Sequence, residues 1–130
     1  MTRVSAGSAL TPQAAVERLG DQSAEVRAAA LIDERGNQAA SASADGADAE
    51  GIAELASELF SVADAAGSRA GLAGVERVEI ARPEGGVFGV RGRDAAGRSW
   101  TLVAVTAGGA LSSLVFYDIQ MTIRALGAPA

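Results

Sequence analysis

The sequence predicts an α+β domain with a five-stranded antiparallel sheet and three helices, in the order α-β-β-α-β-β-β-α. Three observations lead to this fold class. Five runs of the chain read as strands, and most are joined by short turns that contain glycine. Two longer segments repeat apolar residues every three or four positions, which is typical of amphipathic helices. A Thr-Pro pair near the start marks a third, shorter helix, and the helices must cover the apolar faces of the sheet.

The first element is a short helix that begins at Thr11-Pro12. Threonine is a good N-cap, and proline fits the first helical position because its missing N–H would be unpaired there anyway. We predict that the helix ends at Gly20, where a left-handed C-cap is easiest. Its apolar side consists of Ala15, Val16 and Leu19. Residues 1–10 are small and polar and are predicted to form a flexible arm.

The next two elements form a hairpin. Residues 26–33 read as a strand, and Gly36-Asn37 supplies the turn chemistry that a hairpin needs. Residues 38–43 are predicted to be the returning strand. They contain few β-branched residues, so this strand has a low intrinsic propensity and depends on the turn and on its context.

The central helix is predicted from about residue 50 to residue 66, after the polar break Asp45-Gly46-Ala47-Asp48. One apolar stripe runs along it, and Gly67 and Gly71 are expected to end it. The stripe, which we assign to the core, consists of Ile52, Leu55, Ala56, Leu59, Val62, Ala63 and Ala66.

Three strands and a final helix complete the chain. Strands are predicted at residues 75–81, 87–91 and 100–105, with turns at residues 83–86 and in the region 92–97. After the break at Gly108-Gly109, an amphipathic helix is predicted over residues 111–126, and residues 127–130 form a short tail. Its apolar face consists of Leu111, Leu114, Val115, Ile119, Thr122, Ile123 and Leu126.

Composition excludes several classes of function. The chain has 130 residues, which suits one domain, and it contains no Cys and no His. Thiol nucleophiles, histidine bases, disulfides and the common zinc sites are therefore excluded, and we expect no metal, no cofactor and no catalytic residues. The net charge of −5 argues against nucleic-acid binding. We also expect neither a signal peptide nor membrane insertion, and hence a cytoplasmic protein.

Four segments carry a resemblance to a known family. The first is Ala30-Leu31-Ile32-Asp33-Glu34-Arg35-Gly36, and the second is the helix over residues 52–66. The third joins Val78-Glu79-Ile80 to the run Glu84-Gly85-Gly86-Val87-Phe88-Gly89-Val90-Arg91. The fourth is Leu102-Val103-Ala104-Val105, followed by a glycine break and residues 111–126. Their order and spacing over residues 11–126 resemble the Roadblock/LC7 family, in its bacterial form associated with small GTPases.

The resemblance implies how the domain is layered and what it binds. It implies a central helix on one face of the sheet and the N- and C-terminal helices on the other. It also implies a homodimer in which the third strands pair across a two-fold axis, so that the sheet continues through both subunits. Bacterial members resemble partners of small Ras-like GTPases, which they regulate or scaffold, with the GTPase seated on the paired central helices.

Two sets of site residues follow. The expected partner surface comprises the flanks of the central helix, with an exposed aromatic as anchor: Glu54, Glu58, Phe60 and Ser61. The expected dimer interface comprises the third strand and the helix stripe: Glu76, Arg77, Val78, Glu79, Ile80, Leu55 and Leu59. Charges alternate in sign along that strand, so two antiparallel copies can match Glu to Arg.

Two other functions compete with the interaction module. A PAS- or profilin-like sensor of small molecules needs a pocket between sheet and helix, and the Ala-rich core argues against a spacious one. A hydrolase would need paired carboxylates or a Ser/Lys arrangement, and the chain has no Lys. The sequence names neither the partner nor its consequence, whether stimulated hydrolysis, blocked exchange or tethering.

Overall fold

The computed structural model describes residues 10–43 and 49–127, and of residues 49 and 50 the backbone only. Eight elements follow in the predicted order: α1 Pro12–Gln22, β1 Val26–Ile32, β2 Gln38–Ser43, α2 Ala49–Arg69, β3 Arg77–Arg82, β4 Gly85–Arg93, β5 Ser99–Ala107 and α3 Ser112–Ala125. The predicted polar break at residues 45–48, residues 1–9 of the predicted arm and residues 128–130 of the tail lie outside the described residues.

The five strands form one antiparallel sheet in the order β2-β1-β5-β4-β3. Strands β1 and β5 lie at the centre, and β2 and β3 are the edges. Helix α2 packs mainly on β1 and β5 from one face, whereas α1 and α3 pack on the opposite face and on each other. The predicted fold class and the distribution of helices over the two faces are therefore confirmed.

The core has two layers, one on each face of the sheet, and alanines in the middle of β1 belong to both. Ala28, Ala29 and Ala30 are each buried to 98% or more, and successive side chains point to opposite faces. Ala28 and Ala30 meet α2, and Ala29 meets the layer under α1 and α3. Alanine on both faces lets the helices approach the sheet closely at these positions.

Helix α1 begins as predicted and ends later. The hydroxyl of Thr11 accepts a hydrogen bond from the Ala14 N–H at 3.2 Å, with Pro12 at the first helical position. The helix continues through Gly20 to Gln22, so the predicted end at Gly20 is wrong. Packing of its apolar side outweighs the modest cost of one helical glycine. Leu10, assigned to the arm, pairs with Leu126.

Two hairpins differ in detail from the prediction. Between β3 and β4 the turn is Pro83-Glu84 alone, and Gly85 and Gly86 belong to the strand. A side chain at Gly85 would place its Cβ 2.5 Å from the carbonyl oxygen of Thr106, so this position requires glycine for space. Between β4 and β5 the turn spans only residues 94–98, because both strands extend further than predicted.

The two long helices also depart from the predicted pattern. Gly67 does not end α2, which continues to Arg69; its Cβ position lies 3.2 Å from Val75, so glycine permits close contact there. In α3 the buried residues are Val115, Ile119 and Ile123. Leu111 and Leu114, which we expected on the apolar face, are exposed instead.

Asp94 organises the β4–β5 turn. Its carboxylate accepts hydrogen bonds from the N–H groups of Ala96 and Arg98, at 2.8 and 2.9 Å, and from the Trp100 indole at 2.9 Å. Burial raises the pKa of Asp94, but these hydrogen bonds outweigh burial and the pKa lies below its usual value of 3.8. The folded state therefore prefers the ionised carboxylate.

We predict that Asp94→Asn lowers the free energy of unfolding by about 1–3 kcal/mol at pH 7, because buried donors lose acceptors. The Asp94 contribution is present above pH 3.8 and is lost as pH falls through the lower folded-state pKa. The gap between wild type and variant should therefore narrow below about pH 4 in urea denaturation. Asp21→Asn, at an exposed position on α1, controls for the charge change. A gap that stays constant down to about pH 2.5 would contradict this prediction.

Candidate interaction surface

Helix α2 is seated on the sheet through Phe60. The Phe60 ring lies over Gly89 of β4, where a Cβ atom would be only 2.9 Å from the ring. Phe60 is 3% exposed, so it belongs to the core. The prediction that Phe60 is an exposed anchor for a partner is wrong. Gly89 has no side chain, so the sheet has room for the Phe60 ring at that position.

Arg91 stacks on the Phe60 ring. Its guanidinium lies 4.1 Å from the centre of the Phe60 ring and donates two 2.9 Å hydrogen bonds to the carboxylate of Asp64. It also donates to the Val75 carbonyl at 3.3 Å. The hydrogen bonds from Arg91 lower the pKa of Asp64 below 3.8. The sequence carries no local signal for this group, because its members come from α2, β4 and the loop before β3.

The phase of α2 differs from the predicted core stripe. The buried positions are Ile52, Ala56 and Phe60, at four-residue spacing. Leu55 and Leu59 are only half-buried, and Val62 is 70% exposed. The assignment of Val62 to the core is therefore wrong. Because Phe60 points toward the sheet, Leu55, Leu59 and Val62 lie along the side of α2. We call these three residues its apolar flank.

Strand β3 is an outer strand of the sheet, and its side chains alternate between the two faces. Val78 pairs with Gly89 and Ile80 with Val87, and both partners lie on the face that carries α2. Opposite residues in an antiparallel pair share a face, so Val78 and Ile80 lie on the α2 side. Ile80 is 40% exposed.

Arg77 and Glu79 of β3 point to the other face. Arg77 lies 5.6 Å from the Phe116 ring centre, and the Ser112 hydroxyl donates a 2.7 Å hydrogen bond to Glu79. Both contacts are with α3. Within residues 10–43 and 49–127, β3 pairs with β4 alone, so its outer edge is open.

Most of the predicted dimer residues thus lie on or beside one face. We call Leu55, Leu59, Val62, Val78 and Ile80 the open apolar surface. The predicted partner residues Glu54, Glu58 and Ser61 are exposed on α2, away from the sheet. Glu76, Arg77 and Glu79 are exposed along β3. The sequence analysis did not place Val62 on this surface, although its position in an unusually wide apolar stripe could have indicated that it is exposed.

A groove of about 910 Å³ lies at the end of the sheet where β1 and β4 finish, and residues of both α2 and α3 line it. Its lining includes Ser57, Phe60, Arg91, Arg93, Trp100 and Thr101. This groove is open to solvent and is lined from both faces of the sheet, so it is not a cavity within the Ala-rich core.

Solved structures share this architecture closely. A Roadblock/LC7 domain from Streptomyces avermitilis superposes with a TM-score of 0.67 at 22% identity, covering 84% of this chain and 88% of that domain. The chain has the Roadblock/LC7 fold. MglB from Myxococcus xanthus gives a TM-score of 0.68 at 15% identity, with 85% and 80% covered. The gliding protein MglB from Thermus thermophilus gives 0.69 at 22% identity, with 89% and 85% covered.

The likeness lies in structure rather than in sequence. No protein-family model and no curated protein sequence matches the chain. Among the described residues of this Roadblock/LC7 fold, no group of three or more acidic side chains is placed to hold a metal ion. No helix within those residues is long and apolar enough to cross a membrane.

Adding one methyl group at Gly89 tests the close contact between α2 and the sheet. We predict that Gly89→Ala lowers the free energy of unfolding by about 1–3 kcal/mol, because the new Cβ meets the Phe60 ring. Gly20→Ala is the matched control: it lies in α1 with nothing within 4 Å of its Cβ position. It should raise stability by up to about 1 kcal/mol through helix propensity. Equal effects of the two substitutions in urea denaturation would contradict the close contact.

Proposed function

We propose that this chain is a non-catalytic, homodimeric interaction module that binds a small Ras-like GTPase in the cytoplasm and regulates or scaffolds it. The observation that carries the proposal is the combination of the Roadblock/LC7 fold with an open apolar surface beside an unpaired edge strand. An edge strand of this kind invites pairing with another strand. An apolar helix flank next to it marks an interface rather than a solvated face.

The first partner of this surface is a second copy of the chain. Antiparallel pairing of two β3 strands would continue the sheet and bring the two α2 helices side by side. The flank formed by Leu55, Leu59 and Val62 would then be covered. Burying a fully exposed valine side chain contributes on the order of 1.5 kcal/mol or more, so the flank offers a real driving force.

The second partner would sit on the outer face of the paired α2 helices. Glu54, Glu58 and Ser61 are exposed there, and a dimer presents each residue twice. This acidic face suits a partner with basic residues near its binding surface, and complementary charge speeds association. The resemblance drawn from the sequence implies that a small GTPase occupies this place in bacterial relatives of this type.

The proposal predicts capture that depends on nucleotide. One source lysate is supplemented with a non-hydrolysable GTP analogue and a second with GDP. Tagged protein should enrich a small GTPase from only one of these two lysates. Reversing charge with Glu54→Arg and Glu58→Arg should reduce capture at least about fivefold, because two acidic contacts per subunit become repulsive. Mass spectrometry of the eluates measures the enrichment.

Asp21→Arg provides the matched control, since it makes the same kind of charge reversal on α1, across the sheet from α2. Capture by this variant should equal wild type. Equal enrichment with both nucleotides would favour a tether. A monomer at micromolar concentration, or no GTPase in either eluate, would contradict the proposal.

The groove beside α2 favours a second candidate, a sensor of small molecules. Its volume of about 910 Å³ falls in the range of ligand sites, and Phe60, Trp100 and three arginines contribute to its lining. We predict under this alternative that a small metabolite raises the melting temperature, because binding to the native state alone stabilises it. Arg93→Ala should abolish the shift. A metabolite library that produces no shift would remove this candidate.

A further inference from the structure

The open edge of β3 presents the backbone groups of alternate residues. The Arg91 N–H donates a 2.9 Å hydrogen bond to the Glu76 carbonyl, so the backbone of Glu76 faces β4. In an antiparallel strand the N–H and C=O of one residue point the same way, and the direction alternates along the chain. Val78 and Ile80 therefore bond β4 as well, whereas Arg77, Glu79 and Ala81 direct their backbone groups outward.

This alternation restricts how two β3 strands can pair. The inference rests on the homodimer proposed above, with the two α2 helices on the same face of a continuous sheet. Outward-facing residues must then lie opposite outward-facing residues, and residues on the α2 side opposite residues on that side. Both conditions require that one residue of β3 lies directly opposite its own copy in the partner strand. We describe the two-fold axis as lying at that residue.

The charges of β3 distinguish the remaining choices. An axis at Arg77 places two arginines opposite each other, and an axis at Glu79 places two glutamates opposite each other, which is unfavourable. An axis at Ile80 sets Arg77 opposite the partner's Pro83, which has no N–H to donate. An axis at Val78 sets Arg77 opposite the partner's Glu79, and Glu79 opposite the partner's Arg77.

We propose that, when the two β3 strands of this homodimer pair, the two-fold axis lies at Val78 and two reciprocal Arg77–Glu79 ion pairs form. Both charged side chains are already held on the α3 side, Arg77 against Phe116 and Glu79 by Ser112. Less side-chain freedom is lost when such residues form an ion pair than when both start free.

The main competitor is the register with its axis at Glu79. It would place Val78 opposite the partner's Ile80 and Glu76 opposite the partner's Arg82. However, Arg82 already forms an ion pair with Glu84 in its own hairpin, at 2.5 Å. That register would therefore exchange one ion pair for another while setting two carboxylates against each other. Arg77 and Glu79 have no ion pair of their own among the described residues.

Cysteine crosslinking tests the register directly, because the natural chain contains no Cys. Three single variants are compared: Val78→Cys, Glu79→Cys and Ile80→Cys. At an axis through Val78 the two copies of this residue form a close pair with Cα atoms about 4.5 Å apart, within disulfide range. The two copies of Ile80 would be separated by roughly 14 Å along the strands, beyond that range.

We expect Val78→Cys to form a covalent dimer at least about tenfold faster than the other two variants under mild oxidation, because only its sulfur atoms lie within bonding reach. Light scattering under reducing conditions reports the oligomeric state of each variant. Fastest crosslinking of Glu79→Cys or Ile80→Cys would overturn the register while leaving the homodimer in place. Dimers that never crosslink at any of the three positions would overturn pairing through β3. Monomeric wild-type protein would overturn the proposed homodimer itself.

Charge exchange gives an independent test. Arg77→Glu and Glu79→Arg each set like charges opposite each other, and each should raise the dimer dissociation constant at least about fivefold. The double variant restores opposite charges in the same register and should return to within about twofold of wild type. Circular dichroism checks that each variant is folded. A double variant as weak as the single variants would overturn the reciprocal pairs.

Discussion

The seat of Phe60 on Gly89 is the contact on which the arrangement of this domain depends. A helix can lie this close to a sheet only where the sheet has no side chain beneath it, and Gly89 supplies that space. Arg91 then covers the ring and binds Asp64, so the helix is fixed both in depth and in rotation. Once Phe60 points inward, every other face of α2 is determined by helical geometry.

Small residues also allow close packing elsewhere in the sheet. Alanines at positions 28–30 of β1 serve both faces at once, so α2 on one side and α1 with α3 on the other can approach closely. Two of the turns are held by side chains of their own: Asp94 and Asp33 each accept hydrogen bonds from backbone N–H groups within their hairpin.

The sequence predicts the elements well because turns and periodicity are local properties. Strand β2 lies where its turn placed it, although Gln38–Ser43 has little strand propensity of its own. Several errors fall where the backbone comes close to another part of the chain. The helix at Gly67 lies close to Val75, and the strand at Gly85 lies close to the Thr106 carbonyl oxygen. The inward turn of Phe60 depends on Gly89, which no spacing within α2 can indicate.

The sequence of α2 does contain one relevant signal, which is the width of its apolar band. The apolar residues of α2 form a band that includes both Ile52, Ala56 and Phe60 and the flank at Leu55, Leu59 and Val62. A single contact with a sheet does not need so wide a band, so its width supports the second contact proposed above. Helix α2 then has three separate faces: an inward face that fixes it to the sheet, an apolar flank that suits a second copy, and an outer acidic face with Glu54 and Glu58. Because one rotation sets all three, a change that moves Phe60 would displace both proposed interfaces together, even though Phe60 lies in neither.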